Sequence, residues 1–132
     1  MDAAAVLFVN EAFYHIFSER DFAAMERLWA KDWPVLCVHP GWPALTERVA
    51  IIESWRRILK NPDSPAIAPH HAKVLIYPGH ATVVCYEEIQ GRFLVASNGF
   101  VVEQGEIRMV HHQASHCANP PPPEIKSTPA VQ

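Results

Sequence analysis

Apolar residues recur along this chain with two different periods, and the change of period divides it in two. From Ala3 to Phe17, the residues Val6, Val9, Phe13, Ile16 and Phe17 follow helical spacing, while Asn10, Glu11 and Ser18 fall elsewhere. Ser18-Glu19-Arg20-Asp21 breaks the run. Asp21 is placed to cap a second, short helix from Phe22 to Ala30, with Met25, Leu28 and Trp29 turned inward. Trp33-Pro34 stops that helix, because the residue before a proline is pushed into an extended conformation. Val35 to His39 reads as a strand closed by Pro40-Gly41-Trp42-Pro43. Thr46 is the expected N-cap of a third helix. Its apolar stripe is Val49, Ile52, Trp55, Ile58 and Leu59, and its wet side is Arg48, Glu53, Arg56, Arg57 and Lys60.

Asn61-Pro62-Asp63-Ser64-Pro65 ends that helix, and the period falls to two. Strands are predicted over 71–77, 81–90, 92–103 and 106–116, separated by Pro78-Gly79, Gly91 and Gln104-Gly105. Asn98-Gly99, inside a continuous apolar run, reads as a bulge in a bent strand. Residues 1–118 thus form one domain. Residues 119–132, with four consecutive prolines, form a tail that no core requires.

Helix, helix, strand, helix and four further strands make an α+β pattern. The expected architecture is a cone-shaped, curved antiparallel sheet packed against three N-terminal helices, with a small-molecule pocket between the two layers. The uncovered face of such a sheet would expose more apolar surface than a monomer tolerates, which predicts a homodimer.

Composition narrows the function classes. Hydrophobic residues make up 49% of the 132 positions and charged residues 19%, as in a globular domain. A net charge of -3 gives nucleic acid no basic patch to bind, and no apolar stretch approaches the ~20 residues of a membrane span. Ala3 to Val9 follows Asp2 and lacks a basic n-region, so it reads as a helix start and not as a signal peptide. Cys37, Cys85 and Cys117 are odd in number, widely spaced and without a C-x-x-C pair. They fit reduced thiols in a cytoplasm, with Cys37 and Cys85 as small buried hydrophobes.

The candidate chemistry lies at strand ends. The last strand carries His111, His112 and His116 within six residues. Alternation places Met109, His111, Gln113 and Ser115 on one face, toward a pocket. It places Val110, His112 and Ala114 on the other, toward a dimer partner or a satisfied core. His39 shares the parity of Val35 and Cys37 and is either a proton-transfer group or an anchor for the Pro40–Trp42 loop. Asn98 in an apolar strand must either pair with a neighbour or face the pocket. Glu87, on the parity of Val83 and Cys85, is a base with a raised pKa or a solvated rim charge. Trp33 and Trp42 are candidate aromatic walls. No H-E-x-x-H pattern, Gly-rich phosphate loop, dinucleotide fingerprint or Ser-His-Asp signature is present, so neither a metal nor a cofactor is expected.

Three segments carry a family resemblance. FYHIFSERDFAAMERLWA, VLCVHPGWPALTERVAIIESWRRIL and RFLVASNGFVVEQGEIRMVHHQAS resemble the nuclear transport factor 2-like superfamily, and within it the SnoaL-like group, whose last strand often ends in histidines followed by serine. Relatives include ketosteroid isomerases, polyketide cyclases and scytalone dehydratase. The resemblance implies the cone-shaped fold and a strand end at His39 that opens onto the pocket. It also implies one of two functions. The first is cofactor-free isomerisation, cyclisation or dehydration, with His39 or His111 moving the proton and Asn98 and Gln113 orienting a carbonyl. The second is a non-catalytic binding or dimerisation module. The carboxylate, tyrosine and protonated carboxyl of ketosteroid isomerases have no residue-by-residue match in this sequence. Ile107 stands where many SnoaL-like relatives have tryptophan.

Overall fold

The computed structural model describes residues 1–122, so most of the proline-rich tail lies outside the described residues. The first helix, α1 (Ala3–Glu19), is capped by Asp2, whose carboxylate accepts the Ala5 N–H at 3.2 Å. The second, α2 (Phe22–Leu28), is capped by Asp21 on the Ala24 N–H at 3.1 Å, as the sequence predicts. The third, α3 (Arg48–Lys60), starts from Glu47 without a side-chain cap, so Thr46 is not the cap. Val49 is 83% exposed and does not belong to the inner stripe. The buried Ile51, Ile52, Trp55 and Leu59 centre roughly 110° away around the helix, counting 100° per residue. Arg48 is not on the wet side either. It donates to the carbonyls of Ala30 at 3.1 Å and Glu26 at 2.7 Å, and so satisfies the carboxyl end of α2. Among the described residues, no helix is long and apolar enough to cross a membrane.

Five strands, β1 (Leu36–Val38), β2 (Ala68–Tyr77), β3 (His80–Ile89), β4 (Arg92–Glu103) and β5 (Glu106–Cys117), form one sheet in the order β1-β5-β4-β3-β2. Strands β2 to β5 run antiparallel in sequence, while β1 joins β5 in parallel, which makes the sheet mixed. The helices cover one face. Two hairpins turn on Gln90-Gly91 and Gln104-Gly105, all four residues having φ between 51° and 80°. Left-handed backbone at both central positions is what a two-residue turn needs to match strand twist, and glycine supplies half of it without strain.

A register shift decides which side chains face the helices. Gly99 pairs with His111, but Phe100 pairs with Met109, so Val110 is the spare residue of a β-bulge. The bulge expected at Asn98-Gly99 is therefore present, with its extra residue across the ladder on β5. Parity along β5 inverts at Val110. Met109 is buried, and beyond the bulge His112 and Ala114 are the buried pair. Gln113 and Ser115 are exposed on the helix-free face, and His111 is half-buried there. Strict alternation predicted the reverse. His111 and Gln113 do not face the helices, and Val110, His112 and Ala114 do not form a bare face for a partner.

The loop of residues 61–67 joins α3 to β2 and is held by Arg20. That residue ends α1 in a left-handed conformation, with φ of 57°. Its guanidinium donates to the carbonyls of Leu59 at 3.3 Å, Pro62 at 3.1 Å and Ser64 at 2.6 Å, and also to that of Asn61. These bonds lie largely at the surface, so Arg20→Ala should cost only about 1–2 kcal/mol of stability. It should also raise hydrogen exchange within 61–67 more than in the sheet. Exchange mass spectrometry would check this, and unchanged protection of the loop would refute the latch.

Candidate functional site

Between the helices and the inner face of the sheet lies a cavity of about 250 Å³. Its wall is mostly apolar. Phe13 and Phe17 come from α1, Trp55 and Ile58 from α3, Ile67 from the latched loop, and Ile89 and Leu94 from the β3–β4 hairpin. Trp42 and Pro40, from the loop after β1, add to the wall. Three titratable groups stand among these residues: His39 after β1, Glu87 on β3 and His112 on β5.

Glu87 and His112 terminate one continuous hydrogen-bond chain. The Tyr14 hydroxyl donates to Glu87 Oε2 at 2.7 Å. The Asn98 amide donates to the Tyr14 oxygen at 3.1 Å and to Asn10 Oδ1 at 2.9 Å. Asn98 Oδ1 accepts from His112 Nδ1 at 2.6 Å. All five residues are buried, Glu87 and Tyr14 at 2% exposure. Among the described residues, the wholly enclosed unpaired side-chain atoms are Asn10 Nδ2, Trp29 Nε1 and Trp55 Nε1. His112 Nε2 and Glu87 Oε1 are not among them, and both residues line the cavity.

His39 is fixed separately. Its Nε2 lies 2.8 Å from Ser54 Oγ, while Ser54 donates its one proton to the Ile51 carbonyl at 2.6 Å. His39 Nε2 therefore carries the proton in that bond. Its ring meets Trp55 and Trp42 edge-on, with centroids 4.7 Å and 4.9 Å away.

Burial sets the charges. Desolvation pulls the His39 imidazole down to about 4. It pulls His112 down to about 3, with lesser contributions from His39 and His111. Both rings are neutral at pH 7. Desolvation pushes the Glu87 carboxyl above its ordinary value, opposed in part by the Tyr14 hydrogen bond. Tyr14 is pushed far up by the same burial and by the carboxyl beside it, so it keeps its proton.

The residues singled out from the sequence separate into two groups. His39, Glu87 and Trp42 line the cavity, and Asn98 lies behind it as the hub of the chain. Trp33 is 44% exposed in the loop before β1, away from the wall. His111 and Gln113 are on the opposite face of the sheet, where His111 Nε2 lies 3.0 Å from Ser97 Oγ. Sequence reasoning passed over Tyr14, set Asn10 off the apolar stripe, and gave His112 to a dimer partner or a satisfied core; the structure buries all three, with His112 hydrogen-bonded to Asn98. Val6, Asn10, Tyr14 and Phe17 follow one another at spacings of four, four and three, a signal for polar groups on an inward stripe. The His112 placement needed the bulge. Among the described residues, no group of three or more His, Cys, Asp or Glu side chains is arranged to hold a metal ion.

Residues 6–119 match the SnoaL-like domain family, and the chain belongs to it. The curated relative F-box protein SKIP8 of Arabidopsis thaliana is 27% identical over 113 residues, 84% of this chain. The chain spans about half the length of that relative, 49%. A Streptomyces avermitilis protein of the NTF2-like family, provisionally named a dehydratase, is 25% identical with a TM-score of 0.79. The match covers 88% of this chain and 96% of that one. A Thiobacillus denitrificans protein, provisionally named a calcium/calmodulin-dependent protein kinase type II association domain, is 26% identical with a TM-score of 0.73. Here the coverage is 82% and 91%. A Novosphingobium aromaticivorans NTF2-like protein, 17% identical with a TM-score of 0.68 over 90% of this chain and 84% of its own, shares the fold described as cystatin-like.

The buried titratable groups predict an acid-sensitive fold. Unfolded imidazoles take protons near 6.5, whereas folded His39 and His112 resist down to about 4 and about 3. Between those values the unfolded chain binds more protons, so stability falls as pH drops, by up to about 1.4 kcal/mol per pH unit for each ring. Glu87 acts oppositely. Its folded carboxyl keeps a proton above 4.5 that the unfolded one has lost, which favours folding as pH drops. Urea midpoints between pH 7 and 5 should therefore fall with pH in the wild type and fall more steeply in Glu87→Gln. A midpoint that does not change with pH in Glu87→Gln, where the opposing carboxyl is gone, would mean that the two rings are solvated.

Proposed function

We propose that this chain is a small-molecule-binding SnoaL-like domain whose cavity is equipped for cofactor-free proton transfer. Glu87 carries the proton, and His39 and His112 hold the ligand as neutral hydrogen-bonding groups. The observation behind this is the state of Glu87. One of its oxygens is fixed by the Tyr14 hydroxyl and the other has no hydrogen-bond partner among the described residues, in a wall that is otherwise mostly aromatic and aliphatic. A carboxyl whose pKa burial raises above the ordinary value holds an abstracted proton better and can return it, which is the property general acid–base catalysis needs. Taking a proton beside a carbonyl and returning it elsewhere is isomerisation. The same abstraction followed by loss of hydroxide is dehydration, and attack by the resulting carbanion on a second carbonyl is cyclisation. None of these needs a cofactor, and the provisional dehydratase name of the Streptomyces avermitilis relative agrees with the second. The two imidazoles, with pKa values near 4 and 3, are too weakly basic to carry the proton at neutral pH. The free thiols of Cys37, Cys85 and Cys117 support a reducing, cytoplasmic setting.

A second reading, a non-catalytic dimerisation module, is supported by the helix-free face of the sheet. Leu36, Val38, Val84 and Val95 are half-buried there, and Leu75 and Tyr77 are exposed. A second copy of the chain would cover these side chains, and the Thiobacillus denitrificans relative bears the name of an association domain. Both readings hold together if the protein is a dimer with working cavities. Sedimentation as a monomer at micromolar concentration would remove the second.

The uncharged probe 5-nitrobenzisoxazole tests the first. A base removes its ring C–H proton, the N–O bond breaks, and a nitrile phenolate is released without any co-reactant. The wild type should accelerate this saturably, with a rate that rises with pH through a value above the ordinary 4.5 of a glutamate. Glu87→Gln keeps an acceptor for Tyr14 and should lose about 100-fold or more of the rate while its unfolding temperature stays within a few degrees. A rate unaffected by Glu87→Gln would remove the carboxyl from the chemistry.

A further inference from the structure

We infer that the cavity selects an uncharged aromatic ligand bearing a hydroxyl or N–H donor, a phenol-like molecule, and holds that donor on an unprotonated imidazole nitrogen, that of His112 or that of His39. The inference rests on the cavity being a small-molecule site and adds which chemistry it accepts.

Proton accounting leads to it. Both Asn98 amide protons are engaged, one on Asn10 Oδ1 and one on the Tyr14 oxygen, so the carbonyl end of that amide faces His112. An amide oxygen only accepts, hence His112 Nδ1 donates and Nε2 keeps a lone pair. In the second ring, the Ser54 proton is spent on the Ile51 carbonyl, so His39 donates from Nε2 and keeps its lone pair on Nδ1. Among the described residues, the neighbour within bonding reach of that nitrogen is the Cys37 thiol, a weak donor 4.0 Å away and nearer, at 3.5 Å, to Nε2. Each tautomer is thus dictated by groups behind the wall, and both leave an acceptor on a ring that lines the cavity. The ring centroids are 6.3 Å apart, close enough for one small molecule to meet both.

The remainder of the wall excludes other ligand classes. It contains no lysine or arginine, and its one carboxyl offers an anion no positive partner. Arg57 stacks over Trp42 at 5.9 Å but is exposed and takes no part in the lining. A carboxylate or phosphate ligand would lose its hydration without gaining a cation. An ether or hydrocarbon would fit the aromatic wall but leave the His112 Nε2 acceptor unpaired and His39 Nδ1 with only the weak Cys37 thiol. At about 250 Å³ the space is below that of drug-sized pockets and suits one or two fused rings.

Three probes of nearly equal shape separate these cases. Fluorescence titration of the intact wild-type protein would use 2-naphthol, 2-methoxynaphthalene and 2-naphthoate. The naphthol should bind at least tenfold more tightly than either of the others. Equal or tighter binding of the methyl ether would overturn the donor requirement, and equal or tighter binding of the naphthoate would overturn the exclusion of anions. If none of the three binds, the phenol-like class is wrong. Turnover of 5-nitrobenzisoxazole by the same preparation would then show whether the cavity still admits small molecules, so the two readings fail separately.

Discussion

The interior of this domain is organised around one buried amide. Asn98 sits in the middle of the central strand β4 with no exposed surface, where an unsatisfied amide would cost ~1–3 kcal/mol. Its two protons and its oxygen are filled by three residues from two elements: Asn10 and Tyr14 of α1, and His112 of β5. Those partners lie 84 to 88 and 14 residues away in sequence, so the bonds form only when α1 lies across the sheet in one register. A purely apolar contact between the same layers would tolerate a helix slid by a turn; this one leaves donors unpaired if it slides.

The same geometry explains why the site is electrically quiet. A buried charge in this cavity would need a counter-charge, and the wall provides none. The titratable groups adjust instead: two imidazoles are held neutral and a carboxyl is pushed toward its protonated form. Tyr14 stabilises whatever charge Glu87 carries, because it can only donate to it. Each ring is held in one tautomer by the group behind it. Such a site responds to the hydrogen-bonding pattern of a ligand more than to its charge.

Much of the fold was legible in the sequence because it depends on local rules. Asp21 caps its helix and the Gly-containing pairs turn the hairpins because a handful of adjacent residues decide those outcomes. The departures have a common origin in tertiary contact. Val49 satisfies the apolar pattern of α3 yet is exposed, while Arg48 turns in because the carboxyl end of α2 needs donors. Neither result can be read from α3 alone. The cavity was partly legible for a similar reason. Glu87 and Trp42 lie on or beside regular elements, so parity or loop position located them. Asn10 and Tyr14 are polar residues on an apolar stripe, where a hydrophobic count registers only an interruption.

The bulge at Val110 had the largest consequence. One spare residue in β5 exchanges the two faces of everything beyond it, since strand side chains alternate with period two. It moves His112 from the bare face into the core and carries His111 and Gln113 out of it. Nothing in the local sequence of β5 marks the position, because Met109 and Val110 are both apolar and both end up buried. The cue lies on the neighbouring strand. Gly99 has no side chain where a Cβ would come within 2.9 Å of both His111 Cβ and His80 Nε2. Gly99 therefore gives β5 room to bend at the point where its parity changes. The requirement that Asn98 be satisfied selects the register in which His112, not His111, faces it. A glycine beside a buried polar residue, on the strand opposite two adjacent histidines, thus determines which histidine belongs to the cavity.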